Sequence, residues 1–205
     1  MDRRKDLEDY LEEYRKKRGE EKRERLKEQE NQMFSAIEGG LKLLIEKHGR
    51  KQREEGENRV NYVFLCRLLS SSYTDSREIV LGMSDSFLYL DEGKSLVCWS
   101  LSVLYEGIEE DMAQVRKLLQ KRFIRLEEFE LFYIKKKLLD DNWEQFQDSV
   151  SFLAAQAAGV LAHGGILLED EVVFLYGNYM DDMKIAGTLR RKNDGEKADY
   201  VPYGR

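Results

Sequence analysis

The side chains that could carry out chemistry in this sequence are few and widely spaced. The two histidines, His48 and His163, have no cysteine or second histidine at metal-ligand spacing, so a zinc site is not expected. Cys66 and His163 are the one conceivable nucleophile and base, but nothing in the sequence brings them together. Cys66 and Cys98 each lie in an apolar run, and we interpret both as buried free thiols. The sequence therefore predicts a protein that is not an enzyme and that has no cofactor.

Carboxylates are the other candidates for chemistry, and they occur in two short clusters. Glu169, Asp170 and Glu171 form the first cluster, and Asp181 with Asp182 forms the second. Oxygen ligands of this kind suit a hard cation such as Ca²⁺. Adjacent acidic residues more often serve solubility on a protein surface, so we expect no metal site at either cluster.

The second acidic cluster belongs to the segment Tyr179-Met180-Asp181-Asp182, which resembles the motif of reverse transcriptase palms. In that family, two aspartates on a hairpin hold the metal ions of phosphoryl transfer. The resemblance covers these few residues alone. A palm also needs a further metal-binding aspartate and fingers that hold template and primer, for which this chain is too short. We therefore interpret residues 179–182 as an acidic hairpin turn.

Charge divides the chain into regions of different composition. Residues 1–59 hold 17 Lys/Arg and 16 Asp/Glu, whereas residues 60–205 hold 17 and 24. This contrast predicts a charged helical arm with a linker at 1–59, a compact body at 60–189 and a flexible polar tail at 190–205. The net charge of −6 argues against indiscriminate binding to nucleic acid or anionic lipid, but it leaves room for a local basic patch.

The arm is predicted to contain two amphipathic helices, because apolar residues recur at intervals of three and four positions. Apolar positions are not sustained between Leu11 and Met33, so we expect no long coiled coil there but a polar helix that is solvent-exposed, partly frayed or ordered by a partner. Gly39-Gly40 indicates a hinge or a close approach to another helix. The side chains predicted to bind a partner are Leu7, Leu11, Tyr14, Met33, Ile37, Leu41 and Leu44.

The body is predicted to be α+β and helix-rich, with a small antiparallel β-meander. The apolar run Val60–Leu69 is ambiguous, and we favour a helix there. Turn residues separate three strand-like segments that would form the meander, at 78–83, 87–90 and 96–101. Helices are expected at 108–126, at 127–139 and, with Asn142 as the N-cap, at 143–162, followed by a hairpin of 172–176 with 184–189.

Basic residues recur along the predicted helices of the body. If they converge, they form a stripe that could neutralise phosphates; otherwise they are an ordinary solvent-exposed face. The candidate nucleic-acid-binding residues are Lys117, Lys121, Arg122, Arg125, Lys135 and Lys136.

The function class that these patterns favour is a non-enzymatic protein–protein interaction or assembly factor, such as an adaptor, a small chaperone or an accessory subunit. It would dock through its N-terminal amphipathic helices on another protein or on a second copy of itself. The alternative is a nucleic-acid-associated accessory protein that uses the basic face at 117–137. Met1–Asp6 leads into no apolar stretch, and Val150–Leu161 is shorter than the roughly 20 residues that span a bilayer. We therefore expect a cytoplasmic protein with no membrane partner.

Overall fold

The structure is a computed structural model that describes residues 3–56, 59–74, 76, 78–190 and 199–203. It is an α+β fold, as the sequence predicts. Its helices are α1 (Arg3–Glu28), α2 (Glu30–Glu55), α3 (Ser71–Thr74), α4 (Ser102–Tyr105), α5 (Ile108–Gln120) and α6 (Glu128–Ala162). Its strands are β1 (Val60–Arg67), β2 (Glu78–Ser84), β3 (Ser95–Ser100), β4 (Leu168–Asn178), β5 (Met183–Arg190) and β6 (Asp199–Pro202).

The chain divides into two compact units, and the division differs from the predicted arm, body and tail. A helical unit contains residues 3–29 and 102–148, and a sheet unit contains residues 30–101 and 149–203. The predicted arm is split, because α1 belongs to the helical unit and α2 to the sheet unit. Within the predicted tail, Asp199–Pro202 is strand β6 and pairs with β5, whereas residues 191–198 lie outside the described residues.

In the helical unit, α1 lies along α5 in the antiparallel direction. Near the start of α1, the Tyr10 ring packs edge-on against Phe123, which follows the end of α5. Further along α1, the Arg18 guanidinium pairs with Asp111 in the first turn of α5, with Nε 2.6 Å from Oδ2. The buried leucines of α1 complete this packing, and they are Leu7, Leu11 and Leu26.

The first part of α6 lies along α1 in the parallel direction. Arg15 pairs with Asp141, with Nη2 2.6 Å from Oδ1, and Arg23 pairs with Asp148 at 3.3 Å. Both residue numbers increase together, which defines the parallel direction. The start of α1, the end of α5 and the start of α6 therefore meet at one end of the helical unit.

The sheet unit contains one mixed sheet with the strand order β3-β2-β1-β4-β5-β6. Two antiparallel three-stranded meanders are joined by the parallel pairing of β1 with β4, so the sheet is larger than the predicted meander. The predicted hairpin is present as β4 and β5. The sequence-based preference for a helix at 60–69 was wrong, because residues 60–67 form strand β1. Successive side chains of β1 point to opposite faces of the sheet, and both faces have apolar neighbours.

These two faces are visible in the neighbours of β1. Val63 and Leu65 line an apolar cavity of about 40 Å³ together with Ile37 of α2. Phe64 also borders this cavity, and with Cys66 and Val80 it forms a second cluster of buried residues that has partly buried apolar neighbours. A strand that is covered on both faces reads as a continuous apolar run, which is why the sequence alone does not separate it from a buried helix.

Helix α2 packs on β3, and its glycine pair serves that contact. A Cβ atom added at Gly40 would lie 2.7 Å from the Trp99 ring. The Trp99 indole Nε1 donates a hydrogen bond to the Ala36 carbonyl at 2.5 Å. The glycines thus allow α2 to approach a strand rather than another helix, and α2 continues through them without a break.

Helix α6 is continuous from residue 128 to 162, so the predicted break at 140–142 and the predicted N-cap are wrong. Asn142 is fully buried in the helix interior, where its Nδ2 donates a hydrogen bond to the Leu104 carbonyl at 2.9 Å. An asparagine that satisfies a buried carbonyl on a neighbouring helix has the same sequence signature as a cap.

Candidate docking surfaces

The side chains predicted to bind a partner lie almost entirely in the protein's own core. In the helical unit Leu7 and Leu11 are fully buried, and Tyr14 is partly buried and donates a hydrogen bond to Asp111. In the sheet unit four predicted residues are at most 4% exposed, and they are Met33, Ile37, Leu41 and Leu44. A partner would have to displace the protein's own packing to reach any of these buried side chains.

The buried face of α1 continues past its leucines through two charged residues. Arg18 and Lys22 are each only 7% exposed, and they continue the spacing that begins at Leu7 and Leu11. The apolar pattern does stop after Leu11, as the sequence indicates, but the helix does not become solvent-exposed there. We call Arg18 and Lys22, with the groups that they contact, the buried charged seam.

Each cation of the seam has polar neighbours from the helical unit. The Lys22 ammonium donates hydrogen bonds to the carbonyls of Val103 and Glu106, both at 3.1 Å, and burial lowers its pKa to about 8. The Arg18 Nε donates to Asp111, while its two terminal nitrogens have no hydrogen-bond partner among the described residues. A buried charge that loses its partner is costly, so a shift of α1 along its neighbours would carry an energetic penalty at both cations.

The segment predicted as a central strand at 87–90 is instead a short 3₁₀ turn, Leu88–Leu90, in the loop between β2 and β3. Buried Asp91 organises this loop: its Oδ2 accepts the Asp85 N–H at 3.0 Å and its Oδ1 accepts the Gly93 N–H at 2.7 Å. The Ser84 hydroxyl donates to the Leu88 carbonyl at 2.9 Å. We call residues 84–93 the presenting loop.

The presenting loop packs one partly buried apolar side chain against the sheet unit and exposes two others. Leu88 packs against the buried cluster that contains Phe64, and its φ of 49° lies in the left-handed region that bulky residues rarely adopt. Phe87 is 67% exposed and Leu90 is 83% exposed. The apolar composition of 87–90 indicated a strand, whereas the acidic and serine residues that bracket it were the available signal for a loop.

The predicted basic stripe separates into two groups. Lys117, Lys121, Arg122 and Arg125 are exposed at the end of α5 and in the loop that follows it. Lys135 lies further along α6, where its ammonium pairs with Glu109 at 3.1 Å, in the first turn of α5. Lys136 is half-buried on the same part of α6. Only the first group therefore lies at the end of the helical unit.

The residues considered for chemistry are placed apart from one another. The Cys66 thiol contacts the Met183 sulfur at 3.7 Å, and burial raises its pKa to about 12. The His163 ring forms a hydrogen bond through its Nδ1 atom with the Gly159 carbonyl. Cys98 is exposed, and Val80 separates it from Cys66 in the register of the sheet, so both thiols are free.

The segment 179–182 is the turn between β4 and β5, as interpreted from the sequence. The Asn178 N–H donates to the Asp182 carbonyl at 2.9 Å and closes the turn, and Asp181 and Asp182 are exposed. Across the described residues, no group of three histidine, cysteine or acidic side chains could hold a metal ion.

In the part of the chain that the structure describes, no helix has both the length and the apolar character needed to cross a bilayer. No family model matches the chain, and comparisons with curated proteins and with solved structures found no significant match.

Proposed function

We propose that this protein is a non-enzymatic protein–protein interaction factor that docks on its partner through the presenting loop. The observation that carries this proposal is the exposure of Phe87 and Leu90 on a loop whose backbone is held by buried polar groups. Exposed aromatic and aliphatic anchors dominate the energy of protein interfaces. A loop that is already ordered loses less conformational entropy when it binds.

The left-handed conformation of Leu88 supports the same proposal. Backbone strain in a bulky residue persists only where the surroundings enforce it, and such residues concentrate at functional sites. Here the packing of the partly buried Leu88 side chain and the hydrogen bond from the Ser84 hydroxyl to the Leu88 carbonyl hold this conformation. Within two positions of Leu88, the side chains of Phe87 and Leu90 are exposed to solvent.

The charge of the loop indicates the kind of partner. Residues 84–92 contain three acidic residues and no basic one, and because Asp91 is buried, Asp85 and Glu92 are the two that a partner can reach. We therefore infer a protein partner with an apolar pocket rimmed by lysine or arginine, because complementary charge accelerates encounter and disfavours wrong partners. The free thiols of Cys66 and Cys98 are compatible with the cytoplasm, where we place the protein.

A photo-crosslinking experiment tests the proposal. The photoreactive residue p-benzoylphenylalanine replaces Phe87 in the full chain, and the crosslinked protein is identified by mass spectrometry. The affinity of the purified partner is then measured for the wild type and for the double variant F87S/L90S. We expect the double variant to bind at least about thirtyfold more weakly, since the two anchors together contribute no less than a single hot spot.

The matched control is Met180→Ser, which replaces a 64%-exposed apolar side chain in a different turn. This variant should bind the partner as the wild type does, and thermal unfolding should show that both variants fold. Equal affinity of the wild type and F87S/L90S would refute the docking role of the loop. A crosslink between two copies of this chain would instead identify self-association as the function of the loop.

A further inference from the structure

We propose that the helical unit docks on an anionic lipid surface through a basic tip that inserts apolar side chains between lipid headgroups. The basic tip is the end of the helical unit where α1 begins, α5 ends and α6 begins, comprising residues 3–5 and 115–132. This inference is independent of the presenting loop, which belongs to the sheet unit.

The first observation is the concentration of positive charge in a chain of net charge −6. Residues 115–126 contain five basic residues and no acidic residue. Across 3–5 and 115–132 there are eight basic residues against three glutamates. The three chain segments come together because α1 is antiparallel to α5 and parallel to the start of α6. Arg3 shows this directly, since its guanidinium donates to the Arg125 carbonyl.

The charges of the tip are only partly neutralised within the protein. Arg125 pairs with Glu127 at 2.8 Å, and the Arg122 guanidinium lies over the Tyr10 ring at 5.2 Å. Lys117 and Lys121 are exposed and form no ion pair among the described residues. These two ammonium groups are therefore available to phosphate groups on a surface.

The second observation is apolar exposure at the same place. Ile124, which lies between Arg122 and Arg125 in the acid-free segment, is fully exposed. Phe129 is 60% exposed in the first turn of α6, and Phe132 is 42% exposed one turn later. Ile124 is the one of these three that arginines flank, and an apolar side chain in that setting is typical of segments that lie in the headgroup region of a bilayer.

The combination of exposed cations and exposed apolar side chains at the basic tip favours lipid over nucleic acid as the ligand. Both ligands offer phosphates to the cations, and the rings of Phe129 and Phe132 can stack on bases, but the most exposed apolar side chain of the tip, Ile124, has neither an aromatic ring nor a hydrogen-bonding group. The acyl region of a bilayer gives that side chain an apolar environment, and the negative surface of a cytoplasmic leaflet attracts the cations. The sequence-based expectation of no membrane partner considered spanning segments and the net charge of the whole chain, whereas surface docking needs only a local basic patch.

Vesicle co-sedimentation of the full chain tests the proposal. The probes are phosphatidylcholine vesicles with and without about a third phosphatidylserine, at low and moderate salt. We expect binding to the anionic vesicles only, weakening as salt rises. The variant K117A/K121A should bind about thirtyfold more weakly, from roughly fivefold for each cation near the surface. The variant I124S/F129S should lose at least about tenfold, because its side chains no longer insert.

Met180→Ser is the control for exposed apolar side chains in general and should bind vesicles as the wild type does. Equal binding to neutral and anionic vesicles, or binding that I124S/F129S leaves unchanged, would overturn the proposal. The same variants are titrated with single-stranded and duplex DNA, and tighter DNA binding that is unaffected by I124S/F129S would assign the tip to nucleic acid. A doubled mass in light scattering that I124S/F129S abolishes would assign it to a second copy.

Discussion

Replacement of Lys22 by methionine should change how stability depends on pH. The wild-type ammonium is buried, and its pKa falls from 10.5 in the unfolded chain to about 8 in the folded protein. Between these two values the unfolded state binds one more proton than the folded state, so the free energy of unfolding rises as pH rises. Below pH 8 the full cost of burying the charge is present. A shift of this size corresponds to about 3 kcal/mol.

The expected result is a difference between two proteins. The wild type should gain up to about 3 kcal/mol of stability relative to Lys22→Met as pH rises from below 8 to 10.5. Burial raises the pKa of Cys66 and of Tyr14 to about 12, which lowers stability at alkaline pH. Both groups are present in both proteins, so their effects cancel in the difference. Methionine keeps much of the side-chain volume, and the loss of two hydrogen bonds to carbonyls adds a constant offset.

Urea unfolding followed by far-ultraviolet circular dichroism, at a series of pH values, measures this difference. The control is Lys17→Met, whose side chain is 78% exposed and should show no pH-dependent difference from the wild type. If the difference between the wild type and Lys22→Met stays constant across the range, Lys22 is solvated and the argument for a buried charged seam fails.

Three further predictions concern packing, the seam and the presenting loop. Gly40→Ala should destabilise the protein by about 1–3 kcal/mol, because the new methyl group would lie 2.7 Å from the indole of β3. Arg18→Met should cost on the order of 3 kcal/mol, because a part-buried aspartate loses its cation, and urea unfolding measures this loss as well. Asp91→Ala should speed amide hydrogen exchange at residues 85–93, because two loop N–H groups lose their acceptor.

Matched variants show what would contradict these predictions. Gly159→Ala should stabilise α6 by up to about 1 kcal/mol, because no heavy atom lies within 4 Å of the added carbon. An equal effect at Gly40 would mean that the indole contact is absent. Lys17→Ala should cost less than about 1 kcal/mol, and a similar cost for Arg18→Met would show that its ion pair is solvated. Exchange in the Asp91 variant that rises throughout the sheet unit would indicate general unfolding.

Elements with a local signal in the sequence were predicted well. The apolar spacing of α2, the turn residues before β3 and the acidic turn between β4 and β5 each specify their element through near neighbours in the chain. The α+β class followed from these elements. Their pairing into one mixed sheet did not, since the parallel contact of β1 with β4 joins residues more than a hundred positions apart.

The parts that were mispredicted depend on distant partners. A helix with so few apolar residues as α1 reads as solvent-exposed, because the ion pair of Arg15 with Asp141 and that of Arg18 with Asp111 are invisible in a linear pattern. Asn142 reads as a cap for the same reason, since the carbonyl that it satisfies is on α4. The presenting loop and the basic tip were not predicted as docking surfaces, because an exposed apolar anchor and a buried core residue can be the same type of amino acid and differ only in exposure.

The helical unit is formed by two separate segments of the chain, and this separation has a consequence for its synthesis. Helix α1 is synthesised before the residues that it packs against, which are numbered 102–148. At roughly 5–20 residues per second, translation of the intervening chain takes on the order of ten seconds. During that interval α1 has no tertiary partner in its own unit, and its dense, nearly balanced charge keeps it hydrated. The charged composition that resembles a free arm therefore also suits a nascent helix whose packing partners have not yet been synthesised.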